Sequence, residues 1–172
     1  MKKSRLTIAS LALLIAVLGM AGCSTPPAAQ SDFNLIFRYG VGAKNELNTF
    51  EGTYTRDMIS DPSITVPLSL TEEEQDRIYK KMVEIDFFDY PEKFSLTVAP
   101  GESVGMVTPY MSYYFRVEYD SRIKEVRWED EIININENEK ADKLRGLIKL
   151  ITDIIESREE YKQLPEPTSG YM

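Results

Sequence analysis

The chain has no histidine and only one cysteine, Cys23. The first absence excludes His-ligated zinc, Ser-His-Asp triads and histidine general bases. The second excludes an intramolecular disulfide. Neither G-x-x-x-x-G-K nor G-x-G-x-x-G occurs, so there is no phosphate-cradling loop of either kind. Basic residues are in deficit: 20 Lys and Arg stand against 28 Asp and Glu, a net charge of −8 over 172 residues. An acidic surface repels nucleic acid, and DNA or RNA is not an expected partner. Hydrophobic residues make up 42% and charged residues 28%, enough apolar content for one folded domain rather than a disordered chain.

The one long apolar run lies at the start. Lys2, Lys3 and Arg5 precede Leu11, Leu13, Leu14, Ile15 and Val17, and the small residues Gly19, Ala21 and Gly22 follow. Basic, apolar, small is the order of a secretory signal. Residues 6–18 are too few for a bilayer span, which takes about 20 predominantly apolar residues. Met20-Ala21-Gly22-Cys23 resembles a bacterial lipobox, with Met20 where leucine is usual. The resemblance implies that residues 1–22 are removed and that Cys23, lipidated on sulfur, anchors the chain outside the cell membrane. Each acyl chain adds about 0.8 kcal/mol per buried CH₂. Losing residues 1–22 removes three basic residues, leaving 17 against 28 acids, or −11 over 150 residues.

Residues 23–31 then form the lipidated, flexible tether. Residues 32–165 form a single domain, and 166–172 a tail. Phe33, Leu35, Phe37 and Tyr39 alternate with polar residues, as a strand does. A second strand is expected over 47–58, with a bulge at Gly52, and a short third over 64–68. Thr71 followed by Glu74 reads as a capping box opening a helix over 72–86. The Gly- and Pro-containing stretch 92–109 reads as a loop with a weak strand at 94–98. A clear strand follows over 110–119 and its return over 122–129, with a bulge between Ile123 and Val126. Asn136 or Asn138 caps a last helix over 139–160, whose Leu144, Leu147, Ile148, Ile151, Ile154 and Ile155 form one stripe. The expected class is α+β: an antiparallel sheet of four to six strands with two helices on one face. Strands, helix and proline stop occur twice, a coarse ββα echo with few identities.

GTYTRDM (52–58), LTEEEQDRIYKKM (70–82), IDFFDYP (85–91) and YKQLPEPTSGY (161–171) resemble segments of small uncharacterised lipoproteins of Gram-positive bacteria. That resemblance implies location and a single domain, and brings no catalytic residue with it.

Four constellations bear on chemistry. Ser121 and Lys124 have the S-x-x-K spacing, but across a hairpin rather than along a helix, without the companion motifs. Residues 134–138 alternate oxygen ligands, yet Glu139 and Arg145 stand where an EF-hand needs Gly and Glu. A looser calcium site would use Asp130, Glu131 or Asn134. Asp57, Asp61, Asp86 and Asp89 could supply a hydrolase's carboxylate pair. The fourth is aromatic. Alternation sends Tyr113, Phe115, Val117 and Tyr119 to one sheet face, and Tyr114 and Arg116 to the other, with Trp128 or Arg127 beside them. Tyr, Trp and Arg are enriched at interfaces, so Tyr114, Arg116 and Trp128 are the candidate binding residues. The expected function is a lipid-anchored interaction or ligand-binding module with an envelope protein as partner and no cofactor. A carboxylate-dependent hydrolase and an inhibitor of a secreted enzyme are the alternatives.

Overall fold

A computed structural model describes residues 32–98, 100, 101, 103–133 and 138–171. The expected signal, Cys23, the expected tether and Asn134 to Glu137 lie outside the described residues. Seven strands form one sheet: β1 (Asn34–Tyr39), β2 (Asn45–Asn48), β3 (Thr53–Met58), β4 (Asp61–Pro67), β5 (Lys93–Phe94), β6 (Gly105–Tyr119) and β7 (Arg122–Ile133). Their order is β4-β3-β2-β1-β6-β7-β5. All neighbours are antiparallel except β5 and β7, which run parallel. The α+β class is as expected. The expectation of four to six antiparallel strands is corrected to seven strands in a mixed sheet.

Local chemistry explains each added strand. The stretch 47–58 is a hairpin rather than one bulged strand. The Asn48 carboxamide oxygen accepts from the Phe50 and Glu51 N–H groups and turns the chain. Gly52 completes the turn at φ +64, where a Cβ would meet the Ser69 hydroxyl at 2.7 Å. In 92–109, Arg127 N–H donates to Glu92 O at 2.7 Å and starts the two-residue β5, while β6 already begins at Gly105. The bulge expected between Ile123 and Val126 is absent. Their partners, Glu118 and Phe115, follow in unbroken register. Ile123 breaks the apolar alternation because it lies exposed on the helix-free face.

Helix α1 (Glu72–Glu84) opens on the expected capping box: Thr71 Oγ1 accepts from Glu74 N–H at 3.2 Å, and Glu74 Oε2 from Thr71 N–H at 2.8 Å. Thr71→Ala should cost about 1 kcal/mol in urea unfolding; an unshifted midpoint would show that the cap contributes nothing. Helix α2 (Glu139–Ser157) is capped by Asn138, which accepts from Ala141 N–H. The helix expected to reach 160 breaks at Arg158, whose backbone is extended, before the short α3 (Glu159–Lys162). Arg158 donates to Ser69 O at 3.1 Å and reaches the Glu74 carboxylate at 3.3 Å, tying the end of α2 to the start of α1.

One core joins Leu35, Phe37, Leu47, Tyr54, Phe115, Val117 and Val126 of the sheet to Ile78, Met82, Leu144, Leu147, Ile151 and Ile155 of the helices. Both helices thus cover one face. The tail is part of the fold: Thr168 donates to Asp61, Ser169 bonds Ser60, and the Tyr171 hydroxyl donates to Asp57. Among the described residues no helix is long and apolar enough to cross a membrane.

Candidate functional site

Period two along β6 divides its aromatics. Tyr113, Phe115 and Val117 turn to the helices, and Ser112, Tyr114 and Arg116 to the bare face. Pairing then decides what surrounds them. Arg38 of β1 lies opposite Tyr114, and Tyr114 lies opposite Arg127 of β7. The two guanidinium carbons stand 5.5 and 5.3 Å from the Tyr114 ring centroid, both within cation–π range.

The row continues into β2, where Glu46, the partner of Arg38, accepts from Arg38 Nε at 2.5 Å. Arg127 approaches Glu125 at 3.1 Å and Glu92 at 3.5 Å. Each cation therefore has a carboxylate beside it. The patch is close to electroneutral and presents guanidinium planes and a phenol edge rather than excess charge. Burial, and then the Glu125 carboxylate, hold the Tyr114 phenol above its ordinary pKa, so it stays a neutral donor at physiological pH. Beside the row lies a shallow depression of about 360 Å³ bordered by Gly42, Ala43, Ser112 and Glu129. One row away Arg116 pairs with Ile36 and Glu125, and its guanidinium lies 5.8 Å from the Phe50 ring.

Tyr114 and Arg116 thus share the helix-free face. Trp128 does not. It pairs with Tyr113 on the helix side and is 2% exposed, set against Phe94 at 5.4 Å and under the Arg145 guanidinium at 5.1 Å. Arg127 takes the outward position, because the unbroken register puts Val126 and Trp128 on the face of Phe115. The Trp128 indole N–H has no acceptor among the described residues. Arg38 and Glu46 were not anticipated. Their alternation was readable, but the pairing of β1 with β6 joins segments far apart in sequence.

The remaining constellations are placed as follows. Ser121 sits in the β6–β7 turn at φ +56, and Lys124 donates to Tyr90 O. Asp130 receives Nε and Nη2 of Arg145 at 3.1 and 2.7 Å, so a guanidinium already fills the carboxylate proposed for calcium. Asn134 lies outside the described residues. Asp57 and Asp61 hold the C-terminal segment, while Asp86 precedes and Asp89 ends the 3₁₀ turn Phe87–Asp89 after α1. Among the described residues no three acidic or cysteine side chains are grouped to hold a metal ion. No protein-family model, curated protein or solved structure matches the chain.

Proposed function

We propose that the protein is a lipid-anchored recognition module of the cell envelope, held outside the cell membrane at Cys23 and binding an envelope protein through the helix-free sheet face. The observation that carries this reading is Tyr114 held between Arg38 and Arg127 on the face no helix covers. Ordered aromatic and guanidinium planes lose little side-chain freedom on binding and offer large contact areas, which is why such residues dominate interface energetics. The role proposed for this patch is recognition, because ion-paired cations and a neutral phenol offer contact planes and hydrogen-bond donors to a partner.

The test is cross-linking in living cells, comparing the parent with Tyr114→Ala plus Arg116→Ala. A partner captured through this face should lose affinity at least about tenfold in the variant. Capture that is unchanged in the variant, or no specific capture at all, would remove the proposal. A secreted enzyme as the captured partner would point to inhibition. The anchor has a separate test. Mass spectrometry of the membrane fraction should find acylated Cys23, and Cys23→Ala should leave the chain unprocessed.

A further inference from the structure

We propose that the end of the domain from which β1 springs rests on the bilayer that holds Cys23, with Phe50 and Ile123 dipping into the headgroup region. This rests on the anchoring at Cys23 proposed above. The placement comes from sheet register. At the start of β1, Leu35 O accepts from Thr49 N–H at 2.9 Å, and Thr49 Oγ1 donates to Asn34 Oδ1 at 3.3 Å. The β2–β3 turn, with Phe50, therefore lies beside the first residues of β1. On the other side Asn34 pairs with Glu118, and Glu118 with Ile123, so the β6–β7 turn lies there too. Phe50 is 42% and Ile123 58% exposed, although both are large and apolar.

Chain length makes the bilayer the occupant. Cys23 is ten residues before Phe33. Even fully extended, that stretch spans no more than about 35 Å. The near end of β1 is thus confined close to the lipid, at a high effective concentration of membrane surface. The other exposed apolar cluster, Met106, Met111 and Ile133, lies at the opposite end, where Met111 bridges Val41 beyond the end of β1. It is roughly 20 Å or more farther along the strands, at about 3.3 Å per residue.

Charge does not drive the contact. Arg116, Arg122 and Lys124 at the near end stand against Asp32, Glu51, Glu118 and Asp120. Two apolar side chains would not hold a free domain on a membrane, but they suffice to orient one that is already tethered. The strands then rise from the surface, and the Tyr114 face is presented sideways to neighbouring proteins.

The experiment uses the chain from Cys23 onward, which keeps every described residue, coupled through the Cys23 thiol to a maleimide lipid in phosphatidylcholine vesicles. Phe50→Trp, Ile123→Trp, Met106→Trp and Met111→Trp are compared in vesicles carrying brominated acyl chains. Trp128, the only tryptophan, is buried and gives all four the same background. The added indole at 50 and at 123 should be quenched roughly twofold or more relative to 106 and 111. The difference should persist when phosphatidylglycerol is added. Equal quenching at both ends, none at either, or near-end residues buried against a second copy of the chain would overturn the orientation. Because the coupling is chemical, these outcomes do not depend on acylation in the cell. Failure of the anchor itself reads separately, as unmodified Cys23.

Discussion

Arg56→Ala is expected to lower the unfolding free energy by about 3 kcal/mol, because one buried guanidinium supplies the polar contacts that fasten residues 164–166 to the sheet. Arg56 is 8% exposed on β3. Its Nη1 donates to Leu164 O at 3.3 Å and to Pro165 O at 3.2 Å. Its Nη2 reaches both Glu166 oxygens, at 3.1 and 3.0 Å, and the guanidinium lies 4.7 Å from the Tyr161 ring. The ion pair is the lesser part, because the Glu166 side chain is 82% exposed and water screens it. The larger part is the pair of backbone carbonyls after α3, which take their donor from Arg56. Alanine strands them and leaves a void beneath Tyr161. Glu166→Gln should therefore cost less than about 1 kcal/mol, and Arg56→Lys should recover only part of the loss, since an ammonium lacks the planar fork. Urea unfolding of the three variants measures this. If Glu166→Gln cost as much as Arg56→Ala, the ion pair would be the source and the carbonyl account would fall.

That latch marks the boundary of what the sequence discloses. Short-range chemistry was legible: Thr71 with Glu74, Asn138 as a cap, the α2 stripe and the two-faced alternation of β6 all occur as read. Each is settled by residues within a few positions of one another. Arg56 and its carbonyls are more than a hundred residues apart, so PEPTSGYM looked like a loose tail although Tyr171 and Glu166 are anchored on β3. The candidate face divided in the same way. Tyr114 and Arg116 followed from alternation within one strand, whereas Arg38 required knowing that β1 lies beside β6. Trp128 fell on the wrong face because Ile123 and Val126, three residues apart, give β7 no single phase, and only the register with β6 shows that Ile123 is the outward one. An isolated exposed isoleucine at a strand end is ordinary, and the hydrophobic-inside rule does not run in reverse. The parallel β5 was missed because two residues carry no period.

Raising the pH from 10 to 12 is expected to remove about 2 kcal/mol of stability through Tyr39 alone, with Tyr54 adding to the loss. Their hydroxyls meet at 2.8 Å on the helix side of the sheet, bridging β1 and β3. Burial is the largest cause of the shift in each. It pushes Tyr39 up to about 12 and Tyr54 further, because a phenolate there would lose its hydration. The sign follows from proton counts. Below pH 10 both the folded and the unfolded chain keep these protons, and the pair imposes no slope. Above it the unfolded chain releases them while the fold retains them, so alkali favours unfolding until the folded pair itself ionises. Tyr79, Tyr90, Tyr113, Tyr161 and Tyr171 are shifted upward as well and give a shallower background. Tyr39→Phe plus Tyr54→Phe separates the pair from that background. At pH 8 the double variant should be nearly as stable as the parent, since both partners leave together. Each single variant should lose about 1–2 kcal/mol by leaving one buried hydroxyl alone. Between pH 10 and 12 the double variant should lose stability distinctly less steeply than the parent. Equal slopes in urea unfolding across that range would show that the buried pair does not control alkaline unfolding.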